Sequence, residues 1–248
     1  MVDVPAAPWS LMRSSATGAL RRELLPVDPL LAPLFPDQGI RRGSVLSISG
    51  AGGSTTLLLA LLRQALHEGS WAAVVGLPCL GIEAAAGLGV PVDRLVLVPD
   101  PGARWMEVVA ALVDALDVVV INPPRRCPLA DARRLAARIR DRHGLLLIAT
   151  APLPGSARRH APWPESVDLG LEVLSSSWQG LEGGDGTLRR REVTIRSSGR
   201  RSAGRERAVH LWLPAADGGF APVGDARPAR AVSEHTTTSG APSGTLAV

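Results

Sequence analysis

The fold of this chain is decided by one stretch, Gly43-Ser-Val-Leu-Ser-Ile-Ser-Gly-Ala-Gly-Gly-Ser-Thr-Thr-Leu-Leu-Leu-Ala-Leu-Leu-Arg-Gln-Ala-Leu66. Residues 45–49 are mostly apolar and lead directly into glycines, which indicates a buried strand that ends in a tight turn. Thr55 and Thr56 then open an apolar helix. A strand, a glycine-rich turn and a helix in this order predict the first unit of a parallel α/β sheet.

The glycine-rich turn resembles an ATP-binding P-loop that has lost its chemistry. A working loop reads G-x-x-x-x-G-K-[ST], in which backbone N–H groups surround the phosphates and the lysine reaches the β- and γ-oxygens. Here Ser54 occupies the lysine position, and only two residues separate Gly50 from Gly53. All 27 basic residues are arginine, so no neighbouring lysine can replace it. The degenerate nucleotide loop consists of Gly50, Gly52, Gly53, Ser54, Thr55 and Thr56.

Two interpretations of this loop stay open. In the first the turn is purely structural: small residues close the strand-to-helix corner, and Ser54 or Thr55 caps the helix. In the second the loop keeps residual affinity for an anion or a nucleotide, because exposed N–H groups at a helix start attract phosphate.

Composition restricts the class of protein. A length of 248 residues with 46% hydrophobic residues suits one large domain, or a domain with tails. The longest apolar runs are far too short to span a bilayer, and the N-terminus lacks the pattern of a signal peptide. The 2 cysteines lack metal-ligand spacing and cannot form a disulfide framework. We therefore expect a cytoplasmic protein with no cofactor, no metal and no membrane contact, and its net charge of +4 hints at an anionic partner.

Apolar strands alternate with helices along the middle of the chain. Strands are predicted at 45–49, 71–75, 94–98, 117–121 and 145–149, and helices at 55–67, 82–88, 104–116 and 128–142. This alternation predicts an α/β fold with a doubly wound, mostly parallel sheet. The segments 169–175, 189–196 and 208–213 predict an antiparallel C-terminal meander, joined by the glycine-rich 180–186 and by 197–204. The predicted organisation is a Pro-rich, partly helical arm at 1–38, a core at 39–214 and a disordered tail at 215–248.

Four segments carry a family resemblance. The runs Gln38-Gly-Ile-Arg-Arg-Gly, Leu88-Gly-Val-Pro-Val-Asp-Arg-Leu95, Leu116-Asp-Val-Val-Val-Ile-Asn122 and Leu145-Leu-Leu-Ile-Ala-Thr150 resemble the RecA core in order and spacing. The similarity covers roughly residues 38–214, and the chain is most similar to the shortened ImuA-type proteins of actinobacteria. That resemblance implies a RecA-like fold and two partners, an ImuB-type Y-family-like protein and an error-prone polymerase α subunit. It also implies a role in damage-induced translesion synthesis, with association with the nucleoid after DNA damage.

The departures from RecA indicate that the chain is not an enzyme. The resemblance places the metal-binding acid of the Walker B strand at Asn122, whose neutral oxygen removes a full negative charge from the metal site. It places the carboxylate that activates water at 76–79, where no acid occurs, and the γ-phosphate sensor at Ala151. Because phosphoryl transfer depends on positioning and electrostatic stabilisation, losing these parts together with the lysine predicts the absence of ATPase activity.

Arginines form three clusters. The first, at 133–142 on one predicted helix, fits a solvated helix face. The second contains Arg158, Arg159 and Trp163, which the resemblance places in a DNA-binding loop, where Trp163 would stack on a base or anchor the loop. The third is the densest, and it contains Arg189, Arg190, Arg191, Arg196, Arg200, Arg201, Arg205 and Arg207. We interpret the last two clusters as candidate contacts with nucleic acid or with a protein partner, the alternative for the third being a solubilising rim.

The sequence thus favours a non-catalytic accessory protein or scaffold of error-prone translesion synthesis. One alternative is a single-stranded DNA-binding module with an Arg-rich surface. Another is a SulA-type inhibitor of cell division, which filamentation on overexpression would favour. A live recombinase-type ATPase is disfavoured by Ser54 and Asn122.

Overall fold

A computed structural model describes residues 23–50, 52–123, 127–150, 163–182, 185–199 and 206–223. Its strands are β1 (Leu24–Leu25), β2 (Ile40–Arg41), β3 (Ser44–Gly50), β4 (Ala72–Val75), β5 (Leu95–Val98), β6 (Val118–Ile121), β7 (Leu145–Ala149), β8 (Leu169–Glu182), β9 (Asp185–Ser198), β10 (Arg207–Trp212) and β11 (Ala221–Pro222). Its α-helices are α1 (Ser54–His67), α2 (Ile82–Gly87), α3 (Trp105–Ala115) and α4 (Leu129–Arg142). Short 3-10 turns occur at Ala32–Leu34, Val92–Arg94 and Gly102–Arg104.

Nine of the described strands form one sheet in the order β11-β10-β9-β8-β3-β7-β6-β4-β5. The neighbours from β8 to β5 pair in parallel. At the other edge β9, β10 and β11 are added antiparallel. The predicted doubly wound sheet with an antiparallel C-terminal meander is therefore confirmed.

Helices and the N-terminal segment cover the two faces of the sheet with separate cores. On one face α1 and residues 25–40 pack against the sheet, and on the other α3 and α4 do so. Strands β4, β6 and β7 are buried along their whole length because both faces are covered, which is why they read as uninterrupted apolar runs. The glycine loop lies at the carboxyl end of β3, between β7 and β8.

Residues 23–38 belong to the core and do not form a separate arm. Leu24 and Leu25 form strand β1, and residues 1–22 of the predicted partly helical arm lie outside the described part. Leu31, Leu34 and Phe35 are at most 2% exposed. They are buried because the Pro-rich segment folds back over the face of the sheet that carries α1. At the other end, residues 215–223 differ from the predicted tail, since β11 pairs with β10 and Ala215 is buried. Residues 224–248 lie outside the described residues.

A buried hydroxyl joins the N-terminal segment to the meander. Ser197 on β9 is 1% exposed, and its Oγ donates to the Leu34 carbonyl at 2.7 Å. We expect Ser197→Ala to lower the free energy of unfolding by about 1–3 kcal/mol, because it leaves a buried carbonyl without a donor. Urea denaturation would measure the loss, with the exposed neighbour Ser198→Ala as the matched control. Equal stability of the two variants would contradict this assignment.

Strands β8 and β9 are much longer than the sequence predicts. Each has 14 residues, and together they form a hairpin through the stretch predicted as a glycine-rich connection. The register of β8 shifts between Val173 and Ser175 and again between Gln179 and Leu181. At the first irregularity β8 contains one extra residue, which moves the side-chain alternation by one position, and at the second β9 contains two extra residues. The period-two pattern is therefore interrupted although the pairing continues.

Candidate functional site

The glycine loop turns sharply between β3 and α1. Gly50, Gly52 and Gly53 all have positive φ, at 114°, 68° and 85°. Gly53 is the N-cap of α1, and no side chain donates to or accepts from the cap. The expectation that Ser54 or Thr55 caps the helix is therefore wrong, because the chain enters the helix through a left-handed glycine. Ser54 is instead the first helical residue and is only 8% exposed.

The loop packs directly on the backbone and side chains of the hairpin. A Cβ placed on Gly50 would lie 2.3 Å from the Val173 carbonyl oxygen, and one on Gly52 would lie 3.4 Å from Ser176 Oγ. A Cβ on Gly53 would lie 3.1 Å from Arg191 Nη1. The short loop is therefore held against β8 and β9, and glycine is needed where backbone approaches backbone.

A cation does reach the loop, and it comes from β9. Arg191 Nη1 donates to Thr56 Oγ1 at 3.2 Å, while the guanidinium lies over the ring of Trp178 at 4.2 Å. Its Nε is buried without a hydrogen-bond partner among the described residues. Burial lowers the pKa of the Arg191 guanidinium from its usual value. Arg191 thus joins the hairpin to the first turn of α1.

The sequence does indicate that Arg191 points inward, but the interpretation of the third arginine cluster as one contact surface overlooked this. Residues 191, 193 and 195 share one face of β9, and Val193 and Ile195 are both buried. Alternation therefore directs Arg191 toward the core side of the sheet, whereas Arg190 points the other way. The separation between Arg191 and Thr56 along the chain is 135 residues, so their contact follows only from the sheet order.

Asn122 closes the end of β6 against the end of β4. Its Nδ2 donates to the Gly76 carbonyl at 3.0 Å, and its backbone N–H donates to the Val75 carbonyl. Its Oδ1 is buried, and nothing in the described part of the chain donates to it. An aspartate here could not donate to Gly76, so the amide makes a contact that the metal-binding acid of a working site would lose.

The arginines of α4 are largely neutralised. Arg138 and Arg142 both pair with Asp114, Arg133 pairs with Glu165, and Arg134 lies 3.5 Å from Asp131. The hydrogen bond from Arg138 holds the pKa of Asp114 below its usual value, and that from Arg133 does the same for Glu165. This pairing fits the predicted solvated helix face.

The second cluster is described only at Trp163, since Arg158 and Arg159 lie outside the described residues. Trp163 is partly buried and packs against the core formed with α3 and α4. Of the two roles that the sequence left open for it, this packing favours the loop anchor over a stacking platform.

The third cluster is divided by the structure. Arg196 pairs with Glu172 at 2.7 Å and with Glu206 at 3.7 Å. Arg189 and Arg190 are exposed, and Arg190 lies over the Trp212 ring at 4.1 Å. Arg207 is half-buried in β10, and Arg200, Arg201 and Arg205 lie outside the described residues. The structure therefore brings Arg189 to Arg191 together on one strand and separates them from the paired Arg196.

Comparison with known proteins places the chain in a family. The uncharacterized protein Rv3395c of Mycobacterium tuberculosis is 34% identical over 155 residues, which cover 61% of this chain and 71% of that protein. The family model of the MT3502 N-terminal domain matches residues 33–155. This chain belongs to the family of that mycobacterial protein. The family match begins inside the N-terminal segment that the structure places in the core, and it includes the glycine loop and Asn122.

The chain is also similar to RecA over part of its length. RecA of Thermus thermophilus is 41% identical over 90 residues, and RecA of Deinococcus radiodurans is 39% identical over 90 residues. The matches cover 34% of this chain and about a quarter of each RecA, at 26% and 25%. The sheet topology is consistent with a RecA-like fold, and the similarity in sequence is limited to this part of each chain. No helix in the described ranges is long and apolar enough to cross a membrane.

Proposed function

We propose that this chain is a non-catalytic accessory protein of damage-induced, error-prone translesion DNA synthesis. In this role it bridges an ImuB-type Y-family-like protein and an error-prone polymerase α subunit, while its RecA-like sheet serves as a scaffold. The resemblance to ImuA-type proteins supports the cellular process and the two partners. The site geometry supports the absence of catalysis.

The hydrogen bond from Asn122 Nδ2 to the Gly76 carbonyl carries the proposal. It uses the side chain at the metal position as a structural link between two parallel strands. A carboxylate there would lose this link and place negative charge against a carbonyl oxygen. Asn122 is therefore suited to holding the strand ends together, and it lacks the negative charge with which an acid would bind the metal.

Arg191 supports the same conclusion from the other side of the loop. Its guanidinium donates to Thr56, in the first turn of α1, and stacks on Trp178. A lysine of a working loop lies on the loop itself and reaches the β- and γ-phosphates. Here the Arg191 guanidinium holds the hairpin to the helix, and its contacts are made within the chain without a nucleotide.

We expect no release of inorganic phosphate above background from Mg·ATP with single-stranded DNA present. The physical reason is that the lysine of the loop and the acid that holds magnesium are both missing, and these are the groups that stabilise the transferred phosphoryl group. RecA of Thermus thermophilus in the same assay serves as the positive control. Magnesium-dependent turnover that disappears in Asn122→Ala would contradict the proposal.

Reconstitution tests the bridging role directly. The purified chain, the ImuB-type protein and the polymerase α subunit would be mixed in all pairwise and three-way combinations and separated by size exclusion. We expect the ImuB-type protein and the α subunit to co-elute efficiently only when this chain is present. Equal co-elution without it would exclude bridging.

An oligonucleotide titration distinguishes this role from the single-stranded DNA-binding alternative. Direct binding would weaken with salt at a log–log slope of about −0.7 per neutralised phosphate. Tight binding with such a slope, without any protein complex, would favour the DNA-binding module.

A further inference from the structure

The hairpin of β8 and β9 extends beyond the rest of the sheet. The last partner of β3 on β8 is Val173, and the last ladder partner of β10 on β9 is Glu192. Residues 174–182 and 185–191 therefore form a two-stranded ribbon, which we call the arm. Its outer edges pair with no further strand among the described residues, although Arg191 at its base exchanges backbone hydrogen bonds with Leu213 and Pro214. An isolated ribbon gains little from its own packing. Its exposed side chains are therefore available to a partner.

The arm concentrates the exposed apolar surface of the described residues. Six large hydrophobic side chains are exposed among all the described residues. Four of them lie on the arm: Leu174, Trp178, Leu181 and Leu188. Leu181 is 56% exposed and Leu188 is 48% exposed, on a ribbon of only two strands. Clustered apolar exposure of this kind marks an interaction surface more often than scattered single residues do.

The arm also carries positive charge that the described residues do not neutralise. Among the residues whose side chains the structure describes, no carboxylate lies within ion-pairing distance of Arg189, Arg190 or Arg191, whereas arginines elsewhere, such as Arg138 and Arg196, are paired. Two of the three are also held in place. Arg190 donates to Gln179 Oε1 at 3.0 Å and lies over Trp212. Arg191 lies over Trp178 and donates to Thr56.

Held arginines beside exposed tryptophan and leucine are the composition of a protein interface. Tryptophan and arginine dominate the residues that carry binding energy, and restricting them in advance reduces the entropy lost on binding. The charge complementary to the two exposed arginines, Arg189 and Arg190, is acidic, and the complement of the leucines is apolar. Nucleic acid would match the arginines, but phosphates gain nothing from exposed leucines.

We infer that the arm is the docking surface for an acidic, apolar segment of a partner protein. Because Trp178 shares the face of Arg191 while Arg190 lies on the opposite face, this segment contacts both faces of the ribbon. Its contacts on the arm are Arg189 and Arg190 together with Trp178, Leu181 and Leu188. This inference rests on the proposed accessory function, since it names the surface through which a non-catalytic protein acts. It specifies the chemistry of the partner segment and does not depend on which protein supplies it.

Panning tests the inference with a defined probe. A phage-displayed library of random dodecapeptides would be panned against the full-length chain, and enriched peptides would be synthesised for affinity measurement. We expect the enriched peptides to combine Asp or Glu with Leu, Phe or Trp. The charge-reversed variant R189E/R190E should bind them roughly tenfold or more weakly, as expected for lost close charge pairs. The variant L181N/L188N should also weaken them.

The matched control is R133E/R134E, which reverses two adjacent arginines on the exposed face of α4 and makes the same change in net charge. It should leave peptide affinity unchanged. Circular dichroism and thermal denaturation would verify that all variants fold, which is expected because the changed arm side chains are exposed.

Several outcomes would overturn the inference. These are no enrichment over the unselected library, peptides without acidic residues, or equal affinity for R189E/R190E. If no peptide is enriched, and the chain binds a dT oligonucleotide that R189E/R190E no longer binds, the partner of the arm is nucleic acid and not a protein. If no peptide is enriched, and the chain self-associates through a contact that L181N/L188N abolishes, the partner of the arm is a second copy of this chain. If the reconstituted complex forms unchanged with both arm variants and no peptide is enriched, the arm inference fails while the proposed function stands.

Discussion

Gly50→Ala is expected to lower the free energy of unfolding by about 3 kcal/mol or more, enough to prevent folding in a marginally stable domain. The added Cβ would lie 2.3 Å from the Val173 carbonyl oxygen and 2.7 Å from the Val173 nitrogen. Both atoms are backbone, and Val173 is the last partner of β3 on β8, so relief requires the central strand pair to separate. The positive φ of 114° adds strain of its own.

The control for this prediction isolates the clash from the backbone conformation. Gly69 has a φ of 98°, and a Cβ there would meet nothing within 4 Å. Gly69→Ala should therefore cost only the conformational penalty, about 1–2 kcal/mol. Urea denaturation followed by circular dichroism measures both variants. If Gly50→Ala were no less stable than Gly69→Ala, the close approach of the loop to β8 would be wrong.

Phe35→Ala is expected to lower the free energy of unfolding by about 3–5 kcal/mol, the range for a large side chain removed from a packed core. Phe35 is 2% exposed and belongs to the core that α1 covers. The predicted boundary at residue 38 places Phe35 in a peripheral N-terminal segment, where losing its side chain would cost little stability. The variant therefore tests whether residues 23–38 are peripheral or a structural part of the domain.

The matched control is the chain's other phenylalanine. Phe220 is only partly buried, and Arg63 lies over its ring at 5.0 Å. Phe220→Ala should cost about 1–2 kcal/mol, since less apolar area is lost and the cation–π contact is weak. Thermal and chemical denaturation would compare the two variants. Similar losses would show that residues 23–38 contribute no more to stability than the partly buried ring at the sheet edge.

The parallel part of the sheet could be read from the sequence because its signals are local. The predicted strand at 145–149 has the bounds of β7, and the predicted helix at 55–67 differs from α1 by one residue. Consecutive apolar residues mark a strand buried on both faces, and glycines mark the ends of the helices. The hairpin was underestimated because its bulges interrupt the alternation on which a strand prediction depends.

The candidate site was predictable in composition but not in arrangement. Ser54 and Asn122 are visible in the sequence as replacements at the positions that the resemblance assigns to the loop lysine and the metal-binding acid, and their consequence for catalysis remains a prediction. The contact between Arg191 and Thr56 was not predicted, although the alternation around Val193 and Ile195 indicated an inward direction. The hydrogen bond from Asn122 to Gly76 requires β4 and β6 to be neighbours, which the order of elements along the chain does not specify.

The sequence by itself determined that this chain builds a doubly wound, mostly parallel sheet around a loop without lysine, because apolar runs, glycine positions and residue identity are properties of short segments. Tertiary structure alone decided that residues 23–38 belong to the core, that a cation from β9 reaches the loop, and that the hairpin projects as an arm. Each of these depends on which distant segments become neighbours. That choice is made by the register and order of the sheet, through contacts between residues far apart in the chain.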